Sequence, residues 1–337
     1  MKAAIVGCGG IARVHAKSLS MMEDCTLVAF ADIVKEKAED FVQQYGGNAY
    51  SSLEEMLACE KFDILHICTP HYLHVPMAIS ALRAGINVFT EKPPVISYEQ
   101  LAELEAAVAA TDKKLGICFQ NRYNQCTKKA KELIASGKAG AIKGARGLVT
   151  WSRDAAYYTE SGWRGTWATE GGGVLINQSI HTLDLLLHFL GKPVMAEATM
   201  SNHHLKDVIE VEDTMEAYVQ FEDAIASFYA TTAYCTNISP LIEIECENVR
   251  IRIEDPDVTF YFKDGRVEKP QLEQHVSLGK SYWGSSHAAC IADFHDCVKT
   301  GRHFHMELPD MEDTIRMMLA VYESAKTGKP VSIQKGN

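Results

Sequence analysis

The feature that most constrains this chain is the join between its first strand and first helix. Lys2-Ala3-Ala4-Ile5-Val6 reads as a continuous apolar strand and runs into Gly7-Cys8-Gly9-Gly10-Ile11-Ala12, after which Ile11 to Ser20 has helical spacing. Gly7 permits a tight turn. Gly9 and Gly10 let bare amides, including that of Ile11, approach a pyrophosphate, and Ala12 lets helix and strand pack closely. A helix start of this kind favours an anion. A glycine turn that serves packing alone is the competing reading.

Strands and helices keep alternating beyond it. Strand-like runs at Leu27–Ala31, Phe62–Ile67, Asn87–Thr90 and Lys114–Cys118 are separated by helical patterns at Lys35–Tyr45, Pro76–Ala84 and Tyr98–Ala110. Continuous apolar strands joined by helices predict a parallel sheet covered on both faces. Right-handed crossovers make it a doubly wound α/β fold. Asp32 ends the second strand, where a carboxylate can accept both ribose hydroxyls and would repel a 2′-phosphate. NAD is therefore expected over NADP, with Lys35 as the group that could neutralise a phosphate and a helix cap as the other use of Asp32.

The period changes near residue 121. A helix at Thr127–Ala135 and a strand at Gly144–Thr150 precede a central helix. Strand-like runs at Met215–Phe221, Ala224–Thr231, Ile242–Cys246, Val249–Ile253 and Val258–Phe262 follow, broken by turn signals such as Lys263-Asp264-Gly265. Helices at His287–Lys299 and Asp310–Thr327 end the chain. The expected organisation is a nucleotide-binding domain at 1–121 and an α/β domain at 122–337 with a large, mostly antiparallel open sheet. That sheet has few helices to cover two faces, so a homodimer or homotetramer is expected.

With 44 acidic against 33 basic residues, a net charge of −11 disfavours nucleic acid and anionic lipid as main partners. No run of 18 apolar residues or signal-peptide pattern occurs, so a cytoplasmic chain without a membrane span is expected. The ten cysteines are scattered without a C-x-x-C pair and read as reduced thiols, mostly in the core. His303-Phe304-His305 and His203-His204 lack a cysteine or carboxylate at ligand spacing, so no metal is expected.

Ligands of an open parallel sheet lie beyond the carboxyl ends of its strands. Thr69 and Pro70, after the strand Ile64–Ile67, should border the cofactor. His71 and His74 serve either a redox site or loop capping. Glu91-Lys92-Pro93-Pro94 ends the next strand. Lys92 there would point into the crevice and stabilise a developing alkoxide, with Glu91 holding it or contacting ribose. A surface ion pair before a proline turn is the plain alternative.

Together these motifs resemble the glucose–fructose oxidoreductase/inositol dehydrogenase/rhizopine-catabolism family (Gfo/Idh/MocA). The resemblance extends to Gly171-Gly172-Gly173-Val174-Leu175-Ile176-Asn177-Gln178-Ser179-Ile180-His181-Thr182-Leu183-Asp184 and to Tyr322 through Val331, so it covers nearly the whole chain. It implies a Rossmann domain, an open-sheet second domain and nicotinamide-dependent oxidation or reduction of a carbinol in a sugar, sugar derivative or cyclitol. It also implies that Lys92 is the family lysine and His181 the proton-transfer histidine. Asn177 stands where the family carries aspartate, and an amide can orient but cannot take up a proton.

Asn177 to Leu190 reads as one helix, with Asn177, His181, Asp184 and His188 on a polar stripe and Asp184 placed to orient His181. The glycines before it would let backbone approach a ligand. Trp151, Trp163 and Trp167, with Tyr157, Tyr158, Arg153 and Arg164, suit the C–H face and hydroxyls of a pyranose or cyclitol. Trp163 and Arg164 are the best substrate candidates, joined by Asn121, Arg122 and Tyr123 at the domain junction and, more weakly, by His287. Packing against the sheet explains any one of these residues equally well. Two other functions remain open: an NAD-retaining glycoside hydrolase or lyase that oxidises transiently, and a non-catalytic NAD-bound sensor.

Overall fold

The computed structural model describes residues 1–272 and 286–333. In chain order it begins β1 (Lys2–Val6), α1 (Gly10–Ser20), β2 (Thr26–Ala31), α2 (Lys35–Tyr45), β3 (Asn48–Tyr50) and α3 (Leu53–Cys59). Next come β4 (Ile64–Ile67), α4 (His74–Arg83), β5 (Asn87–Thr90), α5 (Tyr98–Ala109) and β6 (Leu115–Ile117). The chain continues through α6 (Gln125–Ala135), β7 (Ile142–Thr150), α7 (Ala155–Thr159), α8 (Ile180–Leu190), β8 (Pro193–Ser201), β9 (Thr214–Phe221) and β10 (Ile225–Thr231). It ends with β11 (Leu241–Cys246), β12 (Val249–Glu254), β13 (Asp257–Phe262), β14 (Val267–Glu268), α9 (His287–Thr300), α10 (Leu308–Thr327) and β15 (Val331–Ser332). Contacts divide the described residues into two compact units, 1–120 with 286–311 and 121–272 with 312–333.

The first unit holds a six-stranded sheet in the order β3-β2-β1-β4-β5-β6, and every pairing in it is parallel. The strand order reverses between β1 and β4, so the turn after β1 opens at the switch point. Strands β1, β4 and β5 are almost wholly buried, which their unbroken apolar runs require. Ser52 and Ser97 start α3 and α5 by accepting the amides of Glu55 and Gln100.

Residues 286–311 belong to this first unit although they follow the second sheet in sequence. The Phe294 ring lies 5.0 Å from that of Phe89 and 5.2 Å from that of Phe304. A Cβ on Gly116 would sit 2.5 Å from the Phe294 ring, so only glycine lets β6 accept α9.

The second unit holds a nine-stranded sheet, β14-β13-β12-β11-β7-β10-β9-β8-β15, antiparallel except for β7 with β10. Alternation along β9 and β10 puts one face inward. Helix α8 packs there on Gly147, whose missing Cβ would lie 2.9 Å from Thr182 Cγ2. The opposite face exposes Tyr218, Val194 and Ile225.

The sequence expectations missed β3, α3, α7, β8, β14 and β15, all short or lacking clear period. They also drew one helix from Asn177. Val174–Ser179 is instead π-helical, and α-helical geometry begins at Ile180. All ten cysteines are free thiols and most are buried. Among the described residues no helix is long and apolar enough to cross a membrane.

Candidate active site

At the carboxyl end of β1 the chain turns on Gly7, whose φ is +85°. A Cβ there would meet the Cys68 carbonyl at 2.7 Å, so Gly7 serves both the turn and the contact with the end of β4. Gly9 and Gly10 are different: a Cβ on either meets nothing within 4 Å. Gly9 caps α1 without a side-chain hydrogen bond, and the first turn carries no acidic residue. The free amides of Gly10, Ile11 and Ala12 therefore begin a helix beside open space, which fits a pyrophosphate. Asp32 is fixed by two amides, its Oδ2 accepting from Cys8 at 2.8 Å and its Oδ1 from Val34 at 2.9 Å. Each oxygen keeps a lone pair for a ribose hydroxyl. Asp32 does not cap α2, whose N-cap is Val34 without a side-chain bond; it turns the chain ahead of the helix and stays open to a ribose.

The histidine after Thr69-Pro70 is structural. His74 is buried, with Nδ1 at 2.7 Å from the Pro93 carbonyl and Nε2 at 2.9 Å from that of Thr69. It ties the two loops at the ends of β4 and β5 together. That contact replaces the cofactor role expected of His74. The Lys92–Pro93 bond is cis.

Glu91 also departs from expectation. Its side chain is buried, with Oε1 at 2.9 Å from His15 Nε2, and Oε2 accepts the Lys92 amide at 3.3 Å. It is therefore turned into the protein beneath Lys92 instead of towards ribose. Burial raises its pKa, but the hydrogen bond with His15 together with the Lys92 charge outweighs that and holds it well below the usual range.

A line of imidazoles continues inward, with His15 Nδ1 at 3.0 Å from His66 Nδ1 and His66 Nε2 at 2.9 Å from His295 Nε2. An anionic Glu91 admits one arrangement of neutral rings, each donating towards the carboxylate. His287 lies beside this line, its ring 6.4 Å from that of His15. His287 is buried, and burial pushes its pKa down to about 4, so it is a neutral imidazole. His15, Glu91 and Cys118 also offer one ligand atom each within 4.8 Å, a convergence of buried groups that linear spacing does not reveal. Burial pushes the Cys118 thiol well up, so it stays protonated.

In the second unit two acids that the sequence reading passed over organise the start of α8. Glu212 is buried, and it accepts the amides of Gly173 at 2.9 Å and Leu175 at 3.0 Å together with the Tyr322 hydroxyl at 2.8 Å. Tyr322 Oη in turn accepts the Ile176 amide at 3.2 Å. A Cβ on Gly172 would lie 2.0 Å from Tyr322 Oη, and one on Gly173 2.0 Å from the Glu212 carbonyl oxygen. The glycine run thus lets backbone approach this protein scaffold, where the sequence suggested a ligand.

Glu170 is the other acid. It is fully buried, its Oε2 accepts the Gly165 amide at 2.6 Å, and its Oε1 accepts the Asn177 side-chain amide. Burial raises its pKa to about 7, against the lowering effect of the Gly165 and Asn177 bonds and of Arg164. A carboxylate therefore lies one hydrogen bond behind the position where the family carries aspartate.

Asp184 does not orient His181. Its Oδ2 accepts from Arg122 Nε at 2.9 Å, and its Oδ1 accepts from Arg122 Nη2 at 2.6 Å and Thr314 Oγ1 at 2.8 Å. The bidentate pair locks α8 to the turn at Gln120–Tyr123 and to α10. Two of the Arg122 guanidinium nitrogens, Nε and Nη2, are engaged in this pair. Asn121 and His181 are half-buried beside these elements, in the second unit with Asn177, whereas Lys92 belongs to the first.

Tyr157 is the hub of the aromatic segment. The Arg164 guanidinium lies 4.4 Å from its ring centre and 4.9 Å from that of Trp163, and Arg153 lies 5.0 Å from it. Its hydroxyl accepts from Gln178 Nε2 at 3.2 Å and Asn177 Nδ2 at 3.5 Å. Trp163 and Arg164 therefore stand beside Asn177 through one ring. Trp167 packs, like Tyr157, against the cluster of Tyr158, Leu205, Ile209 and Val211, with the Lys326 ammonium 4.0 Å over its ring.

The model of an oxidoreductase family with an NAD-binding Rossmann fold matches residues 1–119, and that of the GFO/IDH/MocA C-terminal domain matches residues 127–252. The D-glucoside 3-dehydrogenase of Escherichia coli is 31% identical over 58% of this chain and 55% of that protein. The scyllo-inositol 2-dehydrogenase (NAD(+)) of Bacillus subtilis is 25% identical over 99% of this chain and 96% of that protein. The WlbA dehydrogenase from Bordetella pertussis, solved with NADH and UDP-GlcNAcA, superposes with a TM-score of 0.87 at 25% identity, covering 100% of this chain and 99% of that one. The chain spans between about half and two thirds of the length of the first curated relatives it matches.

Proposed function

Because the chain belongs to the Gfo/Idh/MocA family of NAD-binding oxidoreductases, we propose that it transfers a hydride between nicotinamide and one carbinol carbon of a sugar, sugar derivative or cyclitol. The observation that carries this reading is the open cradle over Gly9 and Gly10, with Asp32 on one side and the loop bearing Lys92 at the end of β5. Bound NAD supplies the hydride acceptor. Lys92 hydrogen-bonds the carbinol oxygen and lowers the cost of alkoxide character there. His181 takes the hydroxyl proton as the carbon gives up its hydride. Asn177, Trp163 and Arg164 hold the remaining hydroxyls and the apolar face of the ring.

A spectrophotometric screen of NAD reduction over cyclitols, aldoses, glycosides and uronates tests the reading. NADH should form with at least one of them, and no reduction of NAD by any polyol would end it. In the same assay NAD should bind tighter than NADP, because the fixed Asp32 carboxylate repels a 2′-phosphate. NADP affinity equal to that of NAD would transfer the recognition to Lys35.

We also propose that the open face of the nine-stranded sheet joins copies of the chain into a homodimer or homotetramer. Tyr218, Val194 and Ile225 give that face exposed apolar surface. Light scattering at micromolar concentration should find at least twice the chain mass, and a monomer would refute the assembly.

A further inference from the structure

We propose that the substrate carries a carboxylate beside its hydroxyls and that Arg164 is the side chain that binds it, which narrows the substrate to sugar acids and carboxylated cyclitols. The proposal deepens the dehydrogenase reading and rests on it for the placement of substrate against Asn177.

Arg164 is half-buried, and its Nε is enclosed without a hydrogen-bond partner among the described residues. Its neighbours are aromatic: the guanidinium carbon lies 4.4 Å from the Tyr157 ring centre and 4.9 Å from that of Trp163. Such rings attract the cation through their faces but do not take up the in-plane N–H fork. Among the described residues no carboxylate pairs with Arg164. Its charge acts on Glu170, but the Glu170 oxygens accept from the Gly165 amide and the Asn177 side chain. Burial also raises the Glu170 pKa to about 7, so at neutral pH that acid is only a partial counter-charge. Other arginines are served differently. Arg122 and Arg316, also withdrawn from solvent, each pair with a carboxylate. Arg13, Arg83 and Arg250 are exposed, where water takes their donors. Cations withdrawn from water are paired in folded proteins, so the partner of Arg164 is assigned to the substrate.

Place and charge select the ligand. Tyr157 stands between Arg164 and Asn177: the guanidinium lies against its ring, and its hydroxyl accepts from Asn177 Nδ2 at 3.5 Å and Gln178 Nε2 at 3.2 Å. A pyranose or cyclitol is about as wide as that ring. A molecule that engages Asn177 through a hydroxyl therefore offers a substituent on its other side to Arg164. The guanidinium fork matches a carboxylate with two parallel N–H···O bonds, and one charge balances one. A phosphate monoester fits the fork but brings a second charge. The other cation on this ring, Arg153, gives Nη1 to the Ser152 carbonyl and Asn237 Oδ1, and an ionised Glu170 would repel the dianion.

The deciding experiment measures NAD reduction by the wild type on glucuronate and galacturonate, on their neutral amides, on the parent hexoses and myo-inositol, and on glucose 6-phosphate. kcat/KM should be about ten- to hundredfold higher for at least one acid than for its amide, the worth of hydrogen bonds to a charged group. Most of the difference should lie in KM, because the carboxylate is held alike before and during hydride transfer. In Arg164→Gln the acid and its amide should come within about threefold of each other. Arg164→Lys, which keeps the charge without the fork, should give a ratio between the two. A neutral compound used by the wild type as well as the acids overturns the proposal, and so does an Arg164→Gln variant that keeps the wild-type ratio. Preference for glucose 6-phosphate over both acids gives Arg164 to phosphate and overturns the carboxylate. The wild-type comparison needs no variant, so it stands even where a substitution fails to fold. If no compound of either charge reduces NAD, the dehydrogenase reading fails instead. Calorimetric titration of each acid and its amide into the NAD-saturated protein then decides the subsite alone: tighter binding of an acid upholds it, and equal or absent binding overturns it.

Discussion

Lys92→Ala and His181→Ala are each expected to lower turnover by about 10²-fold or more, since positioned proton transfer contributes about 10²–10⁴. The two losses should come from different parts of the reaction. Removing the ammonium leaves developing charge on oxygen uncompensated, and removing the imidazole leaves the hydroxyl proton without an acceptor. Both variants should keep NAD affinity, because the amides of Gly10 to Ala12 and the Asp32 carboxylate lie in other loops. Lys92→Ala keeps the backbone amide that Glu91 Oε2 accepts, so that bond survives the substitution. Single-turnover hydride transfer, with NAD binding followed in parallel, checks the pair. His181→Ala turning over at the wild-type rate would remove the proposed base.

Gly173→Ala should be the most damaging single methyl in the second unit. The new Cβ would lie 2.0 Å from the Glu212 carbonyl oxygen and 3.0 Å from Val211 Cγ2. The first of these is backbone and cannot swing aside. Overpacking a well-filled interior typically costs about 1–3 kcal/mol and occasionally more, and a backbone clash this close belongs at the upper end. Relief requires shifting the Gly173 amide away from Glu212 Oε2, which leaves a buried carboxylate short of a donor. A fall in unfolding temperature with loss of activity is expected, whereas Gly9→Ala, whose Cβ meets nothing, should keep its stability. Chemical denaturation of both variants separates the cases, and an unchanged midpoint for Gly173→Ala would contradict the geometry.

The nucleotide domain was legible because its signals are local. A glycine turn, short unbroken apolar strands and helices of period 3.6 lie in consecutive order, and each can be read without its neighbours. Short elements such as β3 and α3 carry too few residues to show a period. The site was legible only as far as residue types reveal position. Lys92 at a strand end and His181 after a glycine run could be found, but the partners of their neighbours could not. Glu91 and His15 are 76 residues apart, Asp184 and Thr314 130, and Glu212 and Tyr322 110. Asp184 falls one helical turn from His181, so sequence proximity proposed a partner that the fold gave to Arg122 instead. Glu170 lies only seven residues from Asn177 and still escaped notice. The intervening glycines and π-helical turn obey no regular spacing, and a lone glutamate in such a stretch looks like a solvated surface residue.

The return of residues 286–311 to the first unit changes what counts as a separable piece of this chain. A polypeptide cut at the period change near residue 121 would retain all six parallel strands yet lose α9. Phe89 would lose the Phe294 ring that covers it, Gly116 would front an empty groove, and His66 Nε2 would lose the His295 ring it meets. The exchangeable cassette is therefore discontinuous. A chimera that borrows this nucleotide domain for another catalytic partner must carry α9 and the Phe304 segment with it, or supply a rejoined chain in which they follow β6 directly.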